Sequence, residues 1–248
     1  MLKSRLCIAF FAFAVGCAPA QKPLTDYVNP MLGTATLWDS VDLGFKPTKR
    51  TWGAEVFPGS SLPNAMVQVS PVTKFHSGAG YQYEDSVIYG FTHTNKGHWN
   101  LCHIPLLPVT GTPTPGDYCS PFSHERESAA PGYYQVFLDR YGVDAQLSST
   151  LRCAFHKYTY PAGAAASLLA DLQRSNEHVR AWDIRKEGDN VFAGWQQTGE
   201  KMYFYAVANR PVTGIEPVVE GDREVRIVRF GEGDGALELR IGFSFVSE

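Results

Sequence analysis

The chain has 248 residues, a formal net charge of -3 and 19% charged residues. This balance lacks the basic excess of a nucleic-acid binder, so no nucleic-acid partner is expected. The 44% hydrophobic content excludes a disordered chain, and the 15 Phe and 12 Tyr beside 23 Gly and 16 Pro favour many short strands separated by turns.

The first twenty residues have the pattern of a signal peptide. Lys3 and Arg5 precede an apolar run, residues 6–15, that is too short to span a bilayer. Residues 14–17, Ala-Val-Gly-Cys, resemble a lipobox in which Cys17 would be lipid-modified, while residues 18–20, Ala-Pro-Ala, form an ordinary cleavage site. The lipobox is favoured because small residues directly precede a Cys at the end of the apolar run.

This leader sets the expected compartment and domain boundaries. We predict a lipoprotein-type signal peptide over residues 1–20 and one β domain over residues 21–248. The protein is then expected in the periplasm or at the outer membrane or cell surface, attached to the membrane through a lipid if Cys17 is modified.

The remaining chain carries the pattern of strands and turns. Residues 27–71 are rich in Pro-containing turns and cannot form long helices. Alternating or apolar segments that predict strands follow at residues 66–70, 136–138, 144–148, 167–172, 202–207, 224–228 and 236–245. Residues 174–180 offer one brief helix. The predicted fold class is all-β, a large antiparallel β-sandwich with few short helices.

The densest polar and aromatic stretch is residues 89–103. It places His93, His98, Trp99 and Asn100 just before a strand-like segment, and loops anchored by strands concentrate function. An indole face stacks on the C–H groups of a pyranose, and Asn and His bind ring hydroxyls. These four residues are therefore the predicted sugar-binding residues.

Two alternatives remain open for the same histidines. Zinc could be bound by His93 and His98 with Cys102 or His103, although no HExxH or paired CxxC motif accompanies them. Alternatively, backbone groups in a turn at Gly97 could satisfy the rings, which would then have a structural role only.

The carboxylates and cysteines give weaker signals. None of Glu55, Glu84, Asp85, Glu125 and Glu127 has a spacing that fixes the separation required for glycoside hydrolysis, so no catalytic residue is predicted. Three cysteines follow the leader, which permits at most one internal disulfide and favours burial for at least one of them: Cys102, Cys119 and Cys153.

Several motifs in series resemble the opening of glycoside hydrolase family 92. They occur in the family's order along essentially the whole mature chain: residues 26–34 (DYVNPMLGT), 57–59 (FPG), 62–63 (LP), 66–71 (MVQVSP), 80–83 (GYQY), 88–94 (IYGFTHT), 106–111 (LLPVTG), 122–125 (FSHE) and 131–134 (PGYY).

The resemblance implies an activity, a domain arrangement and a metal cofactor, which the pattern of strands and turns does not. Members of the family are calcium-dependent, inverting exo-α-mannosidases with an N-terminal β-sandwich, of the galactose-mutarotase-like supersandwich type, packed on a C-terminal α/α barrel. In them the catalytic acid, the base and the calcium ligands lie in the barrel, and the sandwich lends loops to the sugar pocket. The implied ligand is an α-mannoside or N-glycan type carbohydrate.

The sequence stops at Glu248, where family chains pass into a linker and the barrel. We therefore expect this chain to be the N-terminal sandwich without the catalytic barrel, to bind no calcium by itself and to be inactive alone. The alternative is a stand-alone carbohydrate-binding module of the cell envelope.

Two departures from the family pattern limit what can be transferred. Residues 95–100 replace a Ser-Gly-Thr-Gly type loop, so linkage preference cannot be carried over, and residues 63–66 replace Pro-Phe-Gly-Met. Trp99 and His98 occupy the loop that borders the pocket in relatives.

Overall fold

The computed structural model describes residues 22–36, 55–97, 99–233 and 235–248. Within these ranges lie two short 3-10 helices, η1 (Leu24–Tyr27) and η2 (His124–Arg126). The first nine strands are β1 (Ser60–Ser61), β2 (Gln68–Val72), β3 (Val87–Ile88), β4 (Gly90–Thr92), β5 (Asn95–Lys96), β6 (Trp99–Asn100), β7 (Leu106–Val109), β8 (Ser120–Pro121) and β9 (Glu127–Ala130).

Longer strands follow in the second half of the chain. They are β10 (Tyr133–Leu138), β11 (Val143–Ser149), β12 (Cys153–Thr159), β13 (Ser167–Ala170), β14 (Ala181–Gly188), β15 (Val191–Gln197), β16 (Lys201–Ala208), β17 (Val212–Glu220), β18 (Arg223–Phe230) and β19 (Leu237–Ser244).

Two large antiparallel sheets contain most of these strands. One has seven strands in the order β1-β2-β4-β7-β13-β18-β17, and the other has eight in the order β14-β15-β16-β19-β12-β11-β10-β9. Two-stranded ribbons, β3-β8 and β5-β6, lie outside them. The predicted all-β sandwich is confirmed.

Alternating burial explains why the eight-stranded sheet packs through one face. Along β10 and β11 every second side chain is buried, and β12 and β19 largely repeat this period. The inward residues join side chains of the seven-stranded sheet in one hydrophobic core. Burial of these apolar side chains is the main stabilising term.

The middle of the seven-stranded sheet is buried on both faces. Every residue of β4, β7 and β13 is buried, so this sheet has loops over its outer face as well as a partner sheet over its inner one. A small cluster apart from the main core joins Val72, the last residue of β2, to Phe75 and Cys102. The loops that contain Phe75 and Cys102, after β2 and β6, are thereby packed against the end of β2.

The structure confirms most predicted strands and corrects one element. The segments at 144–148 and 202–207 fall within β11 and β16. The brief helix at residues 174–180 is wrong, because this segment is irregular, with a bend at residues 176–177. Its polar groups bond to a distant loop: Ser175 Oγ donates to the carbonyl of Leu101 at 2.7 Å. These long-range bonds outweigh the local helical preference.

Candidate functional site

A short hairpin carries the predicted sugar-binding residues. β5 and β6 pair antiparallel with Asn95 opposite Asn100 and Lys96 opposite Trp99, and Gly97 in the turn has a φ of 62°. Side chains directly opposite each other lie on the same face of a ribbon. Lys96 and Trp99 therefore form the exposed face, with Trp99 50% exposed, while Asn100 on the other face is buried.

Asn100 holds the base of this hairpin in place. Its Oδ1 accepts hydrogen bonds from the backbone N–H of Cys102 at 2.7 Å and from Thr92 Oγ1 at 3.2 Å. The amide also packs directly on Gly80, where an added Cβ would lie 2.7 Å from Nδ2. Asn100 is 1% exposed, so its side chain joins the hairpin to β4 and to the loop at Gly80.

The segment after Asn100 adopts a strained backbone. Cys102 and Ile104 have φ values of 54° and 52°, in the left-handed region that a β-branched residue such as Ile rarely occupies. The backbone N–H of Ile104 donates to Gln196 Oε1 at 2.8 Å, and the Gln196 amide donates to the carbonyls of Leu172 and Arg174. A buried hydrogen-bond network thus stabilises this conformation.

A second segment fastens the hairpin from the side. Asn176 Nδ2 donates to the carbonyl of Asn100 at 2.6 Å, and the Asn176 backbone N–H donates to the carbonyl of Leu101 at 3.0 Å. Ser175 bonds the same Leu101 carbonyl. Residues 175–177 are therefore held beside β6, which brings Glu177 to the hairpin.

His103, Thr198 and Glu177 form a polar cluster at this edge. Thr198 Oγ1 donates to Glu177 Oε2 at 2.7 Å, and His103 Nε2 lies 3.2 Å from the same oxygen and 3.1 Å from Thr198 Oγ1. Burial lowers the pKa of His103, so the ring is neutral. Since the carboxylate only accepts, the proton of His103 is on Nε2.

Glu177 is ionised within this cluster. Its pKa is lowered chiefly by the hydrogen bond from Thr198, with further contributions from His103 and from the nearby positive charge of Lys96. Its side chain remains 45% exposed, whereas that of His103 is 6% exposed. The carboxylate is thus fixed from the protein side and open to solvent.

His93 lies beneath the hairpin in a buried ring pair. Its Nε2 is 3.2 Å from His156 Nε2, and the two rings stack with centroids 5.1 Å apart. Tyr158 Oη lies 2.6 Å from His156 Nδ1. Burial lowers the pKa of His93 to about 3 and that of His156 well below its usual range, so both rings are neutral.

The predicted site residues therefore differ in their environment. Trp99 is on the surface, while His93 and Asn100 are fully buried and bonded within the domain. His98 and Cys17 lie outside the described ranges. His93 and His103 contact side chains of the domain through Nε2, and both the sugar-binding and the structural interpretation of the histidines stay predictions.

The sequence matches the family described as glycosyl hydrolase family 92 N-terminal domain over residues 27–244. The chain belongs to this family. A comparison with curated proteins gives no match.

Solved structures of family 92 enzymes share the fold. The chain is similar to the α-mannosidase BT3965 from Bacteroides thetaiotaomicron, with 25% identity and a TM-score of 0.76 over 91% of this chain and 34% of that one. The inverting mannosidase BT2199 from the same species is 22% identical, with a TM-score of 0.72 over 92% of this chain and 32% of that one, which supports the fold. The family 92 domain spans about a third of the length of these structures.

The carboxylates considered as catalysts in the sequence mostly have other partners in this family 92 domain. Glu127 is buried and accepts hydrogen bonds from Tyr81 and Tyr134, with His124 Nδ1 2.5 Å away. Asp85 accepts from Thr73 at 2.7 Å, and Glu84 accepts from Thr36. Each of these three carboxylates thus has a hydrogen-bond partner within the domain.

Metal ligation gains no support from the described residues of the family 92 domain. Among them no group of three or more His, Cys, Asp or Glu side chains is placed to hold a metal ion. Two described histidines of the zinc hypothesis have other partners, His156 for His93 and Glu177 for His103. Cys102, Cys119 and Cys153 are free thiols, and Cys102 is buried as predicted for at least one.

Sequence reasoning missed Glu177, Thr198 and His156. Glu177 and Thr198 lie 74 and 95 residues from their partner His103, and His156 lies 63 residues from its partner His93, so no local spacing indicates the contacts.

Within the described ranges, no helix is long and apolar enough to cross a membrane.

Proposed function

We propose that this family 92 domain forms part of the sugar pocket of an exported α-mannosidase-type glycoside hydrolase acting in glycan degradation. The β5–β6 hairpin contributes Trp99 to the rim of that pocket. The observation that carries the proposal is a half-exposed indole on a hairpin held by buried polar contacts. Such a rigid aromatic platform suits stacking on a pyranose.

Buried polar atoms around the hairpin support the same assignment. Within the described residues, Thr94 Oγ1, both side-chain polar atoms of Asn95, Asn100 Nδ2 and His103 Nδ1 are buried without a hydrogen-bond partner. Buried polar groups of this kind are uncommon in folded proteins. A concentration of this kind is typical of a segment selected for binding rather than for stability.

The chemistry of hydrolysis is assigned to another part of the enzyme. We propose that a C-terminal α/α barrel supplies the acid, the base and the calcium ligands, because no described cluster of this domain is placed to hold a metal and most of its examined carboxylates are bonded internally. The domain's own role is to orient an α-mannoside or the terminal sugar of an N-glycan.

Titration of the purified chain with methyl α-mannoside tests this proposal. Trp99→Ala should weaken binding by about tenfold or more, because the stacking surface is lost. Trp195→Ala is the matched control. Trp195 lies on β15 in the eight-stranded sheet, where the ammonium of Lys201 lies over its ring. Equal affinities of wild type and Trp99→Ala, or no binding by the wild type, would overturn the proposal.

A stand-alone carbohydrate-binding module is the second candidate. The exposure of Trp99 in this chain by itself favours it, because a module needs an aromatic platform and no acid/base pair. Hydrolysis of an aryl α-mannoside separates the two. The enzyme proposal expects calcium-dependent activity when the chain is combined with a barrel encoded downstream, whereas a module would remain inactive.

Export and anchoring rest on the leader sequence. We propose a periplasmic or cell-surface location with a lipid on Cys17. Metabolic labelling with radioactive palmitate should mark the wild-type protein in a bacterial host and leave Cys17→Ala unmarked. Labelling of neither protein, with cleavage after Ala20, would support the ordinary signal peptide instead.

A further inference from the structure

We infer that Glu177 and Lys96, beside Trp99, form a subsite for a pair of adjacent hydroxyl groups on a neutral pyranoside. The inference rests on the proposed function and adds to it the residues that select the hydroxyls. Neither Glu177 nor Lys96 is among the residues that the sequence pattern indicates.

The first argument is the fixed orientation of the Glu177 carboxylate. The hydrogen bonds that described side chains make with it, from Thr198 at 2.7 Å and from His103 at 3.2 Å, both fall on Oε2. His103 and Thr198 are 4% and 2% exposed. A surface glutamate normally has several rotamers, and holding one of them lowers the entropy lost when a ligand binds.

The second argument is the position of the carboxylate. Its side chain is 45% exposed, so Oε1 can accept hydrogen bonds from a ligand while Oε2 remains bonded to the protein. The neighbouring Asn176 donates to the carbonyl of Asn100 at 2.6 Å, which places Glu177 beside the strand that carries Trp99. The segment that carries Glu177 and the hairpin that carries Trp99 are therefore joined directly to each other.

The third argument is the charge arrangement. Lys96 is opposite Trp99 in the hairpin, on the same face, and its positive charge is among the factors that lower the pKa of Glu177. A carboxylate that accepts and an ammonium that donates complement two adjacent hydroxyls. The two charges cancel, so a neutral sugar is favoured over a charged one.

Titrations with methyl α-mannoside, followed by NMR, test the subsite. Glu177→Gln should weaken binding about tenfold, because a charged acceptor is replaced by a neutral one. Glu216→Gln is the matched control: it removes the same charge from an exposed glutamate on β17, and affinity should not change. Thr198→Val should weaken binding less than Glu177→Gln.

A double-mutant cycle separates positioning from general damage. If Thr198 acts through Glu177, then Thr198→Val should have little further effect in the Glu177→Gln background. Additive effects of the two changes would show that Thr198 does not act through the carboxylate and would overturn that part of the inference.

The outcomes distinguish this inference from the proposed function. Loss of binding in Trp99→Ala with wild-type affinity in Glu177→Gln overturns the subsite and leaves the mannoside-binding function standing. Absence of binding by the wild-type chain overturns both. Tighter binding of a charged analogue, mannuronate or mannosamine, than of methyl α-mannoside also overturns the subsite.

Discussion

His93 Nε2 and His156 Nε2 lie 3.2 Å apart in the core and join the two sheets of the sandwich. His93 directly follows β4 in the seven-stranded sheet, and His156 lies on β12 in the other. The contact requires one ring to donate and the other to accept, so the accepting ring must be neutral, and burial lowers the pKa of both rings. The segment that leads into the Trp99 hairpin thus starts at His93, a buried ring whose protonation is unfavourable.

Acid should destabilise the domain through this pair. The pKa of each ring is lower in the folded state than in the unfolded chain, so the unfolded state binds more protons at low pH. Stability is fully present above about pH 6.5 and is lost as the pH falls below it. At pH 5, His93 alone should account for a loss of about 2 kcal/mol.

Urea unfolding at pH 7.5 and pH 5 measures this loss. His178→Gln, which removes an exposed histidine outside the pair, is the matched control. A double variant, His93→Gln with His156→Gln, should have a flatter pH profile even if it is less stable overall. An unchanged profile in the double variant would rule out the pair as the source.

Removal of Glu127 should be costly. Its buried carboxylate accepts hydrogen bonds from Tyr81 and Tyr134 and lies 2.5 Å from His124 Nδ1. Glu127→Ala leaves these donors without their partner and should lower the free energy of unfolding by about 3 kcal/mol. Glu125→Ala, two residues earlier and exposed, should cost less than about 0.5 kcal/mol. Similar denaturation midpoints for both variants would contradict the assignment.

Asn100 should affect binding without contacting the ligand. Asn100→Ala removes the acceptor of the Cys102 backbone N–H and should cost about 1–3 kcal/mol of stability. Because the hairpin base loosens, the affinity for methyl α-mannoside should fall as well. Calorimetry and a sugar titration on the same preparation check both effects. Full affinity in a destabilised variant would show that the hairpin does not depend on this contact.

The three thiols should differ in reactivity. Cys153 is exposed, Cys119 is intermediate and Cys102 is buried, and burial raises the pKa of the Cys102 thiol. A thiol reagent at pH 8 should therefore modify Cys153 first and Cys102 only after unfolding. Mass spectrometry of a time course, with Cys153→Ser as reference, checks the order. Early labelling of Cys102 would indicate that the loop over β4 opens.

The sequence pattern predicts the strands that bury one face. β11 and β16 alternate clearly, whereas β14 and β17, one edge strand of each sheet, have mostly exposed or half-buried side chains and so lack a clear period. Edge strands contact one neighbour only, which weakens the burial signal.

The residues of the candidate site likewise divide into those that a local sequence pattern predicts and those that it does not. Trp99 is predictable because aromatic and polar residues concentrate in residues 89–103. Glu177 and Thr198 are not, since they reach the hairpin through contacts between segments far apart in sequence. The burial of His93 and Asn100 likewise depends on packing that no local pattern encodes.

A crystal structure of the chain with methyl α-mannoside tests the central claim most directly. The account predicts the pyranose stacked on Trp99, with a hydroxyl within hydrogen-bond distance of Glu177 Oε1. A sugar bound on another face of the sandwich, or none at saturating concentration with the hairpin accessible, would contradict it.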